Sequence, residues 1–223
     1  MATVPNRELK IGEIIDKSLA VLERAVMPAL IFFVAYTAVN GVIAYFTATA
    51  SPMSQMAASL LKIVVAAFFT YQLLNAMVER TGLRSRGDTD VFLSYFGLAV
   101  LYALGVLAGF ILLIIPAFFL IARWSLAQPL VVARGDGIRQ AFGESWERTK
   151  GNEFQIIVAV FVLVILPQAI SVTTGFMFPK DNLLGITLSQ ILASVSSVLS
   201  LATSVALYGM IIGVPKDIAA AFE

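Results

Sequence analysis

Charged side chains in this chain sit in a few short islands, and the stretches between them are long and apolar. Runs free of Asp, Glu, Lys and Arg cover residues 25–61, 63–78, 91–122, 154–179 and 182–215. A hydrocarbon core about 30 Å thick needs roughly 20 helical residues at about 1.5 Å each. Most of these runs reach that length, so the chain reads as an all-α integral membrane protein. Composition agrees: 59% of residues are apolar and 13% charged, with a mean hydropathy of +0.90. Soluble domains run nearer to 45–50% and about 25%.

Counting spans gives six within a single membrane domain over residues 1–223. The first covers residues 26–50, with Ser51 and Pro52 as a turn, and the second 60–78, with Lys62 near enough to its start to reach the headgroups. The stretch 91–133 carries one charge, Arg123, and as one helix would be roughly 64 Å long, about twice the hydrocarbon thickness. It must turn back. Proline lacks an N–H and disfavours helix in the residue before it, so Pro116 is the expected turn, with spans at 91–114 and 117–133. The fifth span is 154–178, bent at Pro167, and the sixth is 183–214, long enough to tilt or project into water.

Six spans put both termini on one side. Arg7, Lys10, Lys17, Arg24, Arg80, Arg84, Arg86, Arg134, Arg139, Arg148, Lys150 and Lys216 fall on that side, against Lys62 and Lys180 opposite. The positive-inside rule makes both termini cytoplasmic. Residues 1–24 mix both signs of charge, which is not the pattern of a cleavable signal.

Two segments on that side are amphipathic. Over residues 8–24, Ile11, Ile14, Ile15, Ser18, Leu19 and Leu22 share a helical face, and over 137–150 so do Ile138, Ala141, Phe142, Ser145, Trp146 and Thr149. Both read as cytoplasmic interfacial helices, with Lys10, Lys17, Arg139, Arg148 and Lys150 available to anionic lipid. Ser18 and Ser145 correspond under one constant shift. Each helix ends at a breaker, Pro28 in one and Gly151 with Asn152 in the other, and feeds an outgoing and a returning span. That is the pattern of an imperfect parallel repeat around the third and fourth spans.

Residues 123–132, Arg-Trp-Ser-Leu-Ala-Gln-Pro-Leu-Val-Val, are followed at 141–152 by Ala-Phe-Gly-Glu-Ser-Trp-Glu-Arg-Thr-Lys-Gly-Asn. This pairing resembles the glycerophosphoryl diester phosphodiesterase membrane domain family and related six-span bacterial membrane proteins. In some members the module is joined to a soluble domain that hydrolyses glycerophosphodiesters with a metal and catalytic histidines. This sequence has no His, so the resemblance carries no such activity here. Relatives often have an acid after the Pro-containing run, where this sequence has Ala133 and Arg134, and a role for that carboxylate does not transfer.

Arg123, inside an apolar run, is the foremost site candidate, because a cation at membrane depth is costly. It either meets a lipid phosphate or a transported anion, or serves structure by bonding carbonyls freed around Pro116, with Asp181 available as a partner. Trp124 reads as a packing or interfacial aromatic. Asn40, Gln72, Asn75, Gln128, Gln168 and Gln190 either converge on a polar path or hydrogen-bond between helices. Gly105 with Gly109, Gly209 with Gly213, and Ser197 with Ser204 are candidate packing positions. Arg134-Gly135-Asp136 reads as a turn.

Without Cys or His the sequence lacks thiolate and imidazole chemistry, and it has no phosphate-binding loop and no paired intramembrane carboxylates. No catalytic residue, metal or cofactor is expected, and a net charge of +1 points to no nucleic acid. The leading expectation is a non-enzymatic bacterial inner-membrane protein, a structural, lipid-associated or complex-accessory module. Its partners would be membrane lipids, anionic ones included, and another membrane protein or a second copy. The alternative is a permease or channel for a small polar or anionic solute centred on Arg123.

Overall fold

The computed structural model describes residues 8–48, 50–85, 90–112, 114–179 and 182–213. Arg7, Arg86, Lys180, Asp181 and Lys216 fall outside them. All regular structure among the described residues is helical: α1 (Ile11–Arg24), α2 (Val26–Thr47), α3 (Pro52–Arg80), α4 (Phe92–Leu112), α5 (Ile114–Arg123), α6 (Ala127–Arg134), α7 (Ile138–Arg148), α8 (Glu153–Val160), α9 (Leu166–Met177) and α10 (Leu183–Ile211), with a π-helical turn at Phe161–Ile165 between α8 and α9. Among the described residues six stretches are long and apolar enough to cross a membrane: Val26–Thr47, Pro52–Arg80, Phe92–Leu112, Ile115–Arg134, Glu153–Met177 and Leu183–Ile211.

Proline positions govern where these helices begin. Pro28, Pro116 and Pro129 are each the third residue of a helix, Pro167 is the second and Pro52 the first. The first four N–H groups of a helix have no intrahelical partner, so proline loses nothing there. The breaks therefore lie upstream of the prolines. α5 already begins at Ile114, upstream of the turn expected at Pro116, and the break expected at Pro28 falls at the buried Ala25. The second span begins eight residues before the expected 60, because Ser51 caps α3 by accepting the N–H of Ser54 and Pro52 opens it. At Pro167 the missing donor coincides with the widened π-helical turn just before it. There the Val164 carbonyl accepts a 2.8 Å hydrogen bond from Ser196 on α10.

The fourth span, expected as one helix over 117–133, is broken into α5 and α6 by a turn at Trp124, Ser125 and Leu126. α4 and α5 form a tight antiparallel hairpin, in which Gly109 lies against the backbone of Ala117 and Gly105 against the ring of Trp124. Gly135, at φ +75°, ends α6, and α7 folds back along α6 toward the broken turn.

Each short polar helix starts 15 residues before the apolar helix after it (Ile11 and Val26; Ile138 and Glu153), and α3 and α10 are both 29 residues long. The packing of the two short helices differs. α1 buries Ile14, Ser18 and Val21, chiefly against α10, whereas α7 buries Ala141 and Ser145 against α6. A 2.8 Å bond from the Leu9 N–H to Asn152 Oδ1 ties the start of α1 to the α7–α8 junction. The core gathers at this end, with Ile14, Leu74, Met77, Leu98, Leu130 and Leu207 fully enclosed. Elsewhere large apolar side chains such as Phe46, Ile111, Phe176 and Leu184 face outward, as a hydrocarbon-facing surface requires.

Candidate functional site

A helix broken at membrane depth exposes backbone groups that lipid cannot satisfy. Around Trp124–Leu126 three hydroxyls from three elements take up that task. Ser145 on α7 donates to the Arg123 carbonyl (2.7 Å) and accepts the Leu126 N–H (3.2 Å). Ser204 on α10 donates to the Ser125 carbonyl (2.6 Å), and Ser125 itself donates to the Ala122 carbonyl (2.8 Å). Thr149, one turn after Ser145, donates to the Ser145 carbonyl (2.8 Å).

Arg123 ends α5 and is 6% exposed. Its Nη1 donates 2.8 Å to the Trp146 carbonyl, in the last turn of α7, where uncapped carbonyls favour a cation. The same nitrogen lies 3.2 Å from Oε1 of Glu153, the first residue of α8. The guanidinium is also flanked by two rings, its Cζ 4.6 Å from the centre of Trp146 and 5.2 Å from that of Phe119. Its charged group thus lies level with the first turn of the fifth apolar helix. Its polar partners among the described residues are at the α7–α8 junction rather than around Pro116, and Asp181 lies outside the described residues. Nε is buried and has no hydrogen-bond partner among the described residues.

Trp124 packs against Phe142 (ring centres 4.7 Å apart), Tyr102 (6.0 Å) and the Gly105 backbone. Gly105 and Gly109 thus serve the α4–α5 hairpin. A Cβ on Gly209 would lie 3.4 Å from Leu83, an ordinary contact. Gly213 stands past the end of α10 at φ +82°, a left-handed position suited to ending a helix, and among the described residues nothing lies within 4 Å of where its Cβ would be. Ser197 bonds the Ala193 carbonyl within its own helix (3.0 Å).

The basic candidates lie on α1, on α7 and beside them. Lys10, Lys17, Arg139, Arg148 and Lys150 are all exposed. Lys17 shares with Glu13 and Arg24 the rim of a groove of about 350 Å³ floored by Val205, Ala206 and Met210. Arg148 is 3.5 Å from Glu144, which also binds Arg134 at 2.7 Å, and Arg134 is 3.5 Å from Asp136. Burial pushes the Asp136 carboxyl above its ordinary range; Arg134 opposes that shift and Glu144 adds to it.

The amides do not converge on Arg123. Asn40 bonds the Tyr36 carbonyl (3.0 Å), and Asn75 accepts from Arg84 (2.6 Å). Gln128 and Gln168 line one cavity of about 550 Å³, and Arg123 does not. Among the described residues no cluster of three or more acids forms a metal site.

Glu153, Ser145 and Thr149 were not singled out as site residues by the sequence. The one signal for the two hydroxyls is their four-residue spacing on the α7 face beside Trp146, which sets them toward one neighbour.

No curated protein and no solved structure matches this chain. A family model does, that of the membrane domain of glycerophosphoryl diester phosphodiesterase, over residues 98–216. The match takes in the α4–α5 hairpin, the broken turn, α7 and α10. It covers more than half of the 223 residues, and the protein therefore belongs to the glycerophosphoryl diester phosphodiesterase membrane domain family.

Proposed function

We propose that this protein is a non-enzymatic, multi-pass module of the bacterial cytoplasmic membrane, with both termini cytoplasmic. It holds anionic lipid around α1 and α7 and presents its outward apolar surface to a partner membrane protein or a second copy. The observation that carries this reading is a contrast between cations. Arg123 is enclosed by Glu153, Trp146 and Phe119. Lys10, Lys17, Arg139, Arg148 and Lys150 are exposed. A juxtamembrane Lys or Arg contributes about 1 kcal/mol toward an anionic surface. Native mass spectrometry of the protein in mild detergent should retain phosphatidylglycerol over phosphatidylcholine, and changing those five residues to Gln should abolish the preference. Equal retention of both lipids by the unaltered protein would refute the proposal.

The permease reading rests on Gln128 and Gln168 rather than on Arg123, since those two share a cavity. It requires solute flux in reconstituted liposomes that Gln128→Leu reduces.

A further inference from the structure

The cavity of about 550 Å³ lies among α3, α4, α6, the π-helical turn with α9, and α10. On α4 its lining runs from Tyr95 to Leu107, about 18 Å at 1.5 Å per residue, so it is a slot. Its mouth is formed by Ile63, Leu104, Leu107 and Gln168, each exposed and each within a stretch apolar enough to span a membrane. A ligand would therefore enter sideways, from the hydrocarbon.

The chemistry of the walls is uneven. Ala99, Val100, Ala103 and Leu104 of α4 give the lining an apolar stretch, whereas Gln128 of α6 and Ser200 of α10 contribute polar groups. Gln128, Val164 and Ser200 also line a smaller cavity of about 80 Å³ that reaches Ser125 and Ser204 at the broken turn. Nearby hydroxyls are engaged, Ser196 with the Val164 carbonyl and Ser204 with the Ser125 carbonyl. The side chains of Gln128, Gln168 and Ser200, by contrast, find no hydrogen-bond partner among the described residues. Polar groups left unpaired in an apolar medium are costly, and a partner from outside the chain relieves that cost. Among the described residues no Asp, Glu, Lys or Arg lines the slot, so an ionised headgroup would be uncompensated there.

We infer that this slot binds a neutral lipid, an uncharged amphiphile whose hydroxyl or ester carbonyl meets Gln128 and Ser200 while its hydrocarbon chain lies toward Leu104 and Leu107. The volume lies within the range of small-molecule sites. The inference does not depend on the anionic-lipid reading, which concerns the opposite charge class and other residues.

The test uses the full chain in phosphatidylcholine vesicles containing a photoreactive diacylglycerol. Crosslinks are expected on α4 residues 99–107 and α10 residues 196–201, displaced by unlabelled diacylglycerol and not by phosphatidylglycerol. Gln128→Leu should lower labelling at least fivefold. Ala103→Phe, which fills the apolar part of the slot and removes no polar group, should do the same in case the first variant misfolds. Neutralising the five basic residues of the anionic-lipid proposal should leave labelling unchanged. Uniform labelling of all outward faces, or equal displacement by phosphatidylglycerol, would overturn the inference. So would rapid reaction of Ala103→Cys with a membrane-impermeant thiol reagent, since that would make the slot a water path; the native sequence has no cysteine to interfere.

Discussion

The hydroxyl of Ser145 lies 2.7 Å from the carbonyl oxygen of Arg123 and completes a backbone that α5 and α6 leave open. Because the same oxygen accepts the Leu126 N–H, one side chain serves both edges of the broken turn. Ser145→Ala strands the Leu126 N–H and leaves the Arg123 carbonyl only a long 3.4 Å bond from Thr149, and a buried group left unpaired costs about 1–3 kcal/mol. The variant should lose roughly 2 kcal/mol or more in denaturant unfolding in detergent. Ser18, the residue at the matching position of α1, donates only to the Ile14 carbonyl of its own helix. Ser18→Ala should therefore cost clearly less, and equal losses would contradict the role given to Ser145.

Arg123 and Glu153 form an unequal pair, the side chain of one 7% exposed and the other 26%. Removing the buried partner is expected to cost about 3 kcal/mol, because it leaves Glu153 uncompensated and the Trp146 carbonyl with only a long 3.4 Å bond from Thr149. Arg123→Met should destabilise more than Glu153→Gln, and the double variant less than the sum of the two. Strict additivity in that cycle would mean the pair is not coupled.

The α4–α5 hairpin depends on the absence of side chains. A Cβ on Gly109 would come within 2.9 Å of the Ala117 backbone, which cannot yield as a side-chain tip does. Gly109→Ala should lower the thermal midpoint by several degrees, and Gly105→Ala, whose Cβ would meet the Trp124 ring, should also lower it. Gly209→Ala, facing only the ordinary 3.4 Å contact with Leu83, should be close to neutral.

Asp136 supplies a pH dependence with a definite sign. Burial raises its folded-state pKa above the ordinary value near 4, so the folded protein binds a proton more tightly than the unfolded chain does. The stability this confers is present in acid and is lost as pH rises from the unfolded value through the raised folded one. Asp136→Asn should flatten that decline, measured as the difference in thermal midpoint between the two proteins across the acid range. A native protein that gains stability relative to the variant over this window would contradict the sign.

The six apolar stretches were legible because hydropathy over some 20 residues is a long signal, dominated by no single position. Their ends were harder to read. Reading proline as a stop places the break on Pro116 and Pro28, whereas its steric demand falls on the preceding turn, so that α5 begins at Ile114 and α2 at Val26, each two residues before its proline. The break before Pro129 was invisible for a further reason. Ser145 and Ser204, which make it tolerable, lie 19 and 79 residues from the groups they satisfy, and nothing in the run from 117 to 133 announces them. Arg123 stood out as the one charge in its run, but Glu153 read as the edge of a span, so its structural pairing was missed.

The bond between Leu9 and Asn152 joins residues 143 positions apart, and α1 also rests on α10, the last helix of the described chain. During synthesis at about 5–20 residues per second, the N-terminal helix waits on the order of ten seconds before residue 152 exists, and longer before α10 does. Through that interval Ile14, Ser18 and Val21 have no completed surface to cover. α1 is thus made long before the surfaces it docks on, and insertion of α10 is what completes its seat.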